Sequence, residues 1–250
     1  AAQPVLWLSS NARYTEGRSI RGGIPICWPW FGAHLSRADL PSHGYAMISN
    51  WNLDAVSFNE MGAIELCLTM SGAAQFDLQQ DFFAILAIKI SIGEVLSIDL
   101  TTTNTGPQDI QITEALHTYL NVSDITQVQI QGLDSSHYID LIDHNVLKLQ
   151  SGPVHFSSEL GRVYLDTKST CLIEDSGLSR TIRIEKSGSQ STIVWNPWRH
   201  TASKMSDLGP TQWQTMVCVE SGNALQNTIS IKPGAQHCLS VSYSVFNHDA

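Results

Sequence analysis

Residues 181–198 read TIRIEKSGSQSTIVWNPW, and this stretch carries the pattern that decides the fold. Apolar side chains alternate with polar ones in its first part, and a second apolar run follows Ser187 and Gly188. Alternation with period two is typical of a strand that has one buried face, and glycine between two such runs favours a turn. The stretch therefore predicts two β-strands joined by a turn.

The same pattern recurs along the chain. Residues 63–70 and 95–106 alternate in the same way, and the second run ends in a turn before a proline. Residues 228–246 predict a β-hairpin that reverses at Pro233 and Gly234. Strands that follow one another without intervening helices argue against a parallel βαβ arrangement. We therefore expect an all-β fold, built as a large antiparallel β-sandwich.

Two segments fall outside this pattern. Residues 72–87 have partial helical spacing but fit a short turn equally well, and no segment has the spacing of a long amphipathic helix. Residues 12–49 are long, irregular and rich in Gly, Pro and aromatic residues. Loops of this length inside compact domains are usually functional or disordered, and the tryptophans of this one argue for order.

The composition is that of an ordinary globular protein. The chain has 250 residues, of which 42% are hydrophobic and 15% charged, which is enough for one sizeable domain over residues 1–250. Its net charge is -9 and no basic run occurs, so nucleic acid and anionic membranes are disfavoured as partners. No apolar run approaches the ~20 residues that span a bilayer, and the first ten residues lack the pattern of a signal peptide.

The cysteines point to a reducing compartment. All five are widely spaced, and none forms a CxxC pair. This usage is typical of reduced thiols with small apolar roles. We therefore expect a cytoplasmic protein, and we take a monomer as its default state.

One aromatic stretch surrounds a single positive charge. Residues 20–32 read IRGGIPICWPWFG, with two tryptophans, a phenylalanine and two prolines close to Arg21. Either this segment fills the core, or it shapes the wall of a pocket and aims Arg21 into it. These residues alone leave both interpretations open.

A proton-transfer pair is the first chemistry to look for. Glu220 follows the apolar run 216–219, where a carboxylate is costly to bury unless it is paired or used. Taken alone, Glu220 better fits a strand end that faces water, and His117 better fits a satisfied, partly buried histidine. His43 precedes a glycine in the irregular stretch, so either a loop presents its ring or it is an ordinary turn histidine.

The residue patterns of several common sites are absent. None of the nine histidines has HxH or HExxH spacing, so we expect no metal. GxSxG, a P-loop and GxGxxG after a strand are also missing, which excludes a hydrolase elbow and a nucleotide cradle.

Five segments occur in a distinctive order. They are IRGGIPICWPWFG at 20–32, LPSHGYA at 40–46, ALHTYLNV at 115–122, WNPW at 195–198 and VCVESGNA at 217–224. In this order they resemble the hexose-6-phosphate mutarotases, the glucose-6-phosphate 1-epimerase branch of the aldose 1-epimerase superfamily. The resemblance implies a large antiparallel β-supersandwich with a sugar-binding cleft and no metal or organic cofactor. The family carries further strands before the segment that matches VLWLS, and we expect this domain to lack them.

The resemblance also implies roles for particular residues. Glu220 matches the general base that takes the proton from the anomeric hydroxyl, and His117 matches the general acid that protonates the ring oxygen. Arg21 matches the arginine that faces the anionic end of the substrate. The substrate-binding candidates are Arg21, His43, Ser42 and Asp207.

The sequence departs from the family at three positions, one of which is Ser42, where relatives often have a glutamine before His43. Met47 stands where the family usually has an arginine that helps to bind phosphate, and Gly161 stands where it often has an aspartate on the sugar hydroxyls. The acid and the base are both retained, so we expect an enzyme, a hexose-6-phosphate mutarotase. Two alternatives stay open: a non-catalytic carbohydrate-binding protein on the same fold, and a mutarotase for unphosphorylated aldoses.

Overall fold

Two large β-sheets form most of the molecule. The computed structural model describes residues 3–70 and 82–248. The strands of this part are β1 (Ile26–Cys27), β2 (Trp51–Phe58), β3 (Ile64–Met70), β4 (Ala84–Ile92), β5 (Leu96–Asn104), β6 (Ile110–Ile112), β7 (Glu114–Leu116), β8 (Tyr119–Asn121), β9 (Val128–Gln131), β10 (His137–Asp140), β11 (Val146–Leu149), β12 (Val154–His155), β13 (Leu160–Tyr164), β14 (Cys171–Asp175), β15 (Arg180–Ser187), β16 (Ser191–Asn196), β17 (Met216–Asn223), β18 (Ile229–Ile231) and β19 (Gln236–Asn247).

Helices are few and short in the described residues. One α-helix, α1, spans Trp198–Ala202, and 3-10 helices lie at Ala46–Ile48, Ile125–Gln127 and Gln212–Thr215. Among these helices, none combines the length and the apolar character that a bilayer crossing needs.

The strands pair only in the antiparallel sense within the sheets. The first sheet has the order β1-β7-β17-β16-β13-β10-β11, with β8 also paired to β17. The second sheet has the order β12-β9-β14-β15-β19-β5-β4-β3-β2, and β18 pairs with β6 in a sheet of two strands. All of these pairs are antiparallel. The expected all-β antiparallel architecture is therefore confirmed.

The core lies between the two large sheets. Along β5 and β19, every second side chain is buried over most of the strand. Leu100, Ile182 and Leu239 on the second sheet are fully buried. Burial of a side chain of this size contributes about 1.5–3 kcal/mol, so alternating strands can hold the sheets together without covering helices.

The segment with partial helical spacing contains a strand. Residues 71–81 lie outside the described residues, and they include most of the segment 72–87. From Ala84 onward the chain is β4, which pairs with both β3 and β5. The helical alternative is therefore wrong for residues 84–87.

The predicted hairpin over residues 228–246 is wrong. The chain does reverse at Pro233 and Gly234, but β18 pairs with β6, whereas β19 pairs with β5 and β15. Asn104 of β5 holds the turn. Its side-chain amide donates to the backbone carbonyl of Ile231 at 2.8 Å, and its backbone carbonyl accepts from the N–H of Gly234 at 3.0 Å. Alternation and a Pro-Gly pair predict two strands and a reversal, but they do not determine the partner of either strand.

The two strands predicted within residues 181–198 are confirmed, but they belong to different sheets. β15 lies in the second sheet and β16 lies in the first. In the turn between them, Gly188 has a φ of +66°, and a Cβ there would lie 1.9 Å from the carbonyl oxygen of Cys238. This position therefore requires glycine, since no side chain fits where the chain crosses between the sheets.

The irregular stretch 12–49 is ordered around a buried tryptophan. Trp28 is fully buried, and its indole N–H donates to Oγ1 of Thr102 at 3.0 Å. Its backbone forms a parallel bridge with Gly44. This bridge fixes the backbone next to His43, so the stretch acts as a scaffold for that side chain.

Gly44→Ala should destabilise the protein and displace His43. Gly44 has a φ of +74°, and an added Cβ would lie 2.1 Å from the carbonyl oxygen of Trp28. Gly234→Ala is the matched control, because Gly234 has a φ of +72° with nothing within 4 Å of an added Cβ. Left-handed strain alone costs about 1 kcal/mol, so Gly44→Ala should lose clearly more free energy of unfolding than the control in urea titrations. Equal losses in the two variants would contradict the close approach at Gly44.

Candidate active site

A break in one β-ladder brings His117 opposite Glu220. β7 ends at Leu116 and β8 begins at Tyr119, and both strands pair with β17, which carries Glu220. His117 lies in the gap, where its backbone N–H donates to the carbonyl of Pro25 at 2.9 Å. Its ring nitrogen Nε2 lies 3.3 Å from Oε1 of Glu220. The two residues that the sequence singled out for proton transfer are therefore in contact.

Both side chains are removed from solvent. The side chain of Glu220 is 1% exposed and that of His117 is 15% exposed. The alternative of a strand-end glutamate that faces water is therefore wrong. Oε2 of Glu220 and Nδ1 of His117 are buried without a hydrogen-bond partner among the described residues. Native proteins rarely leave such atoms unpaired. Both atoms are therefore open to a partner from outside the protein, as are Oε2 of Glu114 and Nε of Arg180 elsewhere in the fold.

Burial disfavours charge on both members of the pair. It raises the pKa of Glu220 well above its ordinary value. It also lowers the pKa of His117 to about 3, with a smaller contribution from His43 and Arg21. In the neutral pair the shared proton lies on the carboxyl group of Glu220, and in the ion pair it lies on the ring of His117. The two states therefore hold the same number of protons. The site can therefore exchange a proton internally without taking one from solvent.

His43 joins this pair from the irregular stretch. Its backbone has a φ of 66°, and its ring lies 5.9 Å from the ring of His117, edge to face. Nδ1 accepts from the backbone N–H of Gly32 at 3.1 Å and lies 3.3 Å from Sγ of Cys27. A neutral His43 therefore carries its proton on Nε2. Burial, followed by repulsion from Arg21, lowers the pKa of His43 to about 4.

Arg21 lies at the same site and is held by two partners. Its Nη1 donates to the hydroxyl of Tyr119 at 2.8 Å, and its Nε donates to Oδ2 of Asp207 at 3.2 Å. The ring of Tyr119 stacks on that of His117 at 5.0 Å. The sequence left open whether the stretch 20–32 fills the core or aims Arg21 into a site. It has both roles, because Trp28 fills the core and Arg21 reaches the polar site.

Sequence reasoning missed several residues of the site. Tyr119 orients Arg21, and the ring of Trp195, from the WNPW segment, lies 5.9 Å from that of His117. Cys27 and Cys218 are buried beside the histidines and Glu220, and the pKa of each thiol is raised by burial and by Glu220. Tyr119 and Cys218 lie two residues from His117 and Glu220, so strand alternation was the signal that could have found them.

Three further positions of interest, Ser42, Met47 and Gly161, have different surroundings. Ser42 is exposed beside His43, with no contact to the catalytic candidates among the described residues, and its role in binding stays a prediction. Met47 packs against an apolar cluster that includes Val163. A Cβ at Gly161 would lie 3.4 Å from Cδ1 of Ile142, so an apolar side chain already covers that position.

A metal ligand set is also present in outline. One donor atom each from His117, Cys218 and Glu220 lies within 4.8 Å of the others. Imidazole, thiolate and carboxylate are ligands that zinc accepts. The absence of a metal cofactor stays a prediction.

The comparisons with known proteins agree with one another. A family model described as aldose 1-epimerase matches residues 1–244. A protein of Cenchrus ciliaris named "Putative glucose-6-phosphate 1-epimerase" is 32% identical over 94% of this chain and 73% of its own length. An Escherichia coli protein of the same name is 33% identical over 94% of this chain and 78% of its own. The crystal structure of a "putative mutarotase" from Salmonella typhimurium superposes with a TM-score of 0.89 at 29% identity, covering 98% of this chain and 80% of that one.

Stability should fall as the pH drops from about 6.5 to about 4. His43 has a pKa of about 4 in the folded protein, whereas an unfolded histidine has a pKa of about 6.5. Between these values the unfolded chain binds a proton that the folded chain refuses, so the free energy of unfolding decreases with acid by up to about 1.4 kcal/mol per pH unit. In urea unfolding across this range, His43→Gln should flatten the dependence, whereas His155→Gln, on an exposed strand residue, should not. Identical slopes in both variants would rule out a neutral buried His43.

Proposed function

Because this chain belongs to the aldose 1-epimerase family, we propose that it interconverts the α and β anomers of a hexose 6-phosphate such as glucose 6-phosphate. The observation that carries the proposal is the buried contact between His117 and Glu220, at 3.3 Å. The opening of a cyclic hemiacetal requires one group that accepts a proton and one group that donates a proton. Glu220 and His117 can supply these two groups, and each keeps a polar atom that is unpaired among the described residues.

The proposed reaction uses one proton at each side of the C1–O5 bond. Glu220 removes the proton from the anomeric hydroxyl while His117 delivers a proton to O5, and the C1–O5 bond breaks to give an open aldehyde. Rotation about C1–C2 then presents the other carbonyl face, and ring closure returns both protons. Each positioned group of this kind contributes ~10²–10⁴-fold to the rate, so the pair can supply the acceleration without a cofactor.

The bound sugar would also set the charge state of the pair. Burial disfavours a carboxylate at Glu220. A sugar hydroxyl that donates to Oε2 would stabilise the carboxylate, because hydrogen bonds to the charged form lower the pKa of an acid. The shared proton would then reside on His117. In this proposal, substrate binding itself creates the base and the acid.

Arg21 and His43 would bind the substrate from the irregular stretch. Arg21 is the proposed partner of the phosphate, with Asp207 and Tyr119 fixing the direction of its guanidinium. Since Asp207 already neutralises part of this charge, we expect weaker selectivity for phosphate than a site with two free arginines would have. His43 would donate from Nε2 to a sugar oxygen.

The alternative of a non-catalytic sugar-binding protein has no specific support. A binding module gains nothing from a buried carboxylate in contact with a histidine, since each of these groups is costly to bury. We also propose that the protein is cytoplasmic and monomeric. The five free cysteines are consistent with a reducing compartment.

Glu220→Gln should abolish most of the activity and leave the fold intact. The amide keeps the size of the carboxylate but cannot accept the proton, so the rate should fall by at least ~10². Exchange spectroscopy on the two anomers of glucose 6-phosphate measures the rate, and Glu185→Gln on the exposed face of β15 is the control. His117→Ala should behave like Glu220→Gln. A loss of rate below tenfold, which corresponds to less than ~1.4 kcal/mol of activation barrier, would contradict the proposed roles of Glu220 and His117.

Met47→Arg should strengthen the binding of glucose 6-phosphate more than that of free glucose. The added guanidinium would supply a second charge for a phosphate, which a neutral sugar cannot use. KM values for the two sugars, in wild type and variant, measure the effect, and Met47→Leu controls for lost apolar packing. Equal changes for both sugars would argue against a phosphate near this position.

A further inference from the structure

A second buried carboxylate lies behind the candidate active site. Glu114 is 0% exposed, and its Oε1 lies 2.9 Å from Nε2 of His237. The amide of Asn223 donates to the same oxygen at 3.1 Å. The proton transfer proposed above uses none of these residues, so their burial needs another explanation.

This cluster ties together four segments of the chain. Glu114 lies on β7, Asn223 ends β17, and His237 lies on β19 of the second sheet. Asn223 also donates to the carbonyl of Gly188 at 2.8 Å and accepts from the backbone N–H of Gln190 at 2.9 Å. The three side chains therefore fasten the second sheet to the two strands that carry the catalytic pair.

The cluster and the catalytic pair share a short piece of β-ladder. Glu114 pairs directly with Asn223, and the β7–β17 ladder ends two pairs later, next to His117 and Glu220. His117 lies outside the ladder. Its distance from Glu220 therefore depends on the register of these three pairs, together with the β8–β17 pairs on the other side of the gap and the hydrogen bond to Pro25.

The cluster acts from the opposite face of the sheet. Side chains alternate along a strand, so Ala115 and His117 point to one face, whereas Glu114 and Leu116 point to the other. Leu116 belongs to the main core between the sheets, whereas Ala115 lies in a separate, smaller apolar cluster together with Ile193, the ladder partner of Glu220. A change at Glu114 can therefore alter the catalytic pair without touching a bound sugar.

The contact with His237 adds a hydrogen bond from the second sheet to this short ladder. The hydrogen bond that Glu114 accepts from His237 raises the pKa of His237. Three ladder pairs form a short connection between β7 and β17, so a buried side-chain contact at the end of the ladder is well placed to fix the register.

We propose that Glu114, through Asn223 and His237, is a positioning residue that sets the separation of His117 and Glu220. The inference rests on the catalytic roles proposed above, and it extends them to residues that touch no substrate. Glu114→Gln should lower kcat by about tenfold or more with KM within about twofold, because misplacement of a reacting group is costly, whereas Arg21 and His43 bind from another segment.

The test compares Glu114→Gln with Glu174→Gln, which alters a paired glutamate on β14, away from the site. Wild type and both variants are assayed by anomer exchange, and the ¹⁵N NMR signals of the His117 ring are recorded for each. The proposal expects a lower kcat and shifted His117 signals in Glu114→Gln only. Unchanged kcat and unchanged signals in Glu114→Gln, or equal effects in Glu174→Gln, would overturn it.

Substitutions of His237 guard against a variant that fails to fold. His237 is partly exposed, so His237→Ala should fold and lower kcat, and His237→Gln should restore part of the loss because its amide can donate to Glu114. Equal kcat values in these two variants would also overturn the proposal. If wild type accelerates anomer exchange of no sugar, the proposed function fails, while the NMR comparison still decides the positioning role.

Discussion

The burial of one carboxylate constrains the rest of the structure. Glu220 lies in a strand with neighbours on both sides, at 1% exposure, and its Oε1 lies 3.3 Å from Nε2 of His117. Removing an ionisable group from water costs several kcal/mol unless partners replace the solvent. A fold that buries Glu220 must therefore hold His117 in place beside it. The first sheet does so through β7 and β8, the strands on either side of the gap that contains His117.

Antiparallel pairing explains how distant parts of the sequence meet at this point. Arg21, His43 and Asp207 lie in irregular segments, whereas His117 and Glu220 lie on or beside paired strands. The candidate proton-transfer pair is therefore held by paired strands, whereas the candidate binding groups lie in loops that this scaffold carries. Buried Trp28 and the close approach of Gly44 fix the backbone of the loop at His43.

The polar candidates and the two departures from the family pattern have different surroundings. Arg21, Tyr119 and Asp207 hold one another through hydrogen bonds. Met47 packs on the cluster around Val163, and Ile142 covers Gly161, so both of these positions have apolar neighbours. The chain belongs to the aldose 1-epimerase family, and its departures from the family pattern leave His117 and Glu220 in contact.

The sequence by itself determined the fold class and singled out the candidate proton-transfer pair. Period-two alternation is a local property of each strand, so residues 63–70, 95–106 and 181–198 were predicted as strands, and the motifs around His117 and Glu220 lie within single segments. Strand partners are a long-range property, which is why the hairpin over 228–246 was predicted wrongly and the crossing between sheets at Gly188 was not foreseen. Only the tertiary structure decided that Glu220 is buried, that Tyr119 orients Arg21, and that Glu114 meets His237. Each of these features depends on contacts between residues far apart in the chain. The alternation of apolar and polar residues is a local pattern, so it does not predict such contacts.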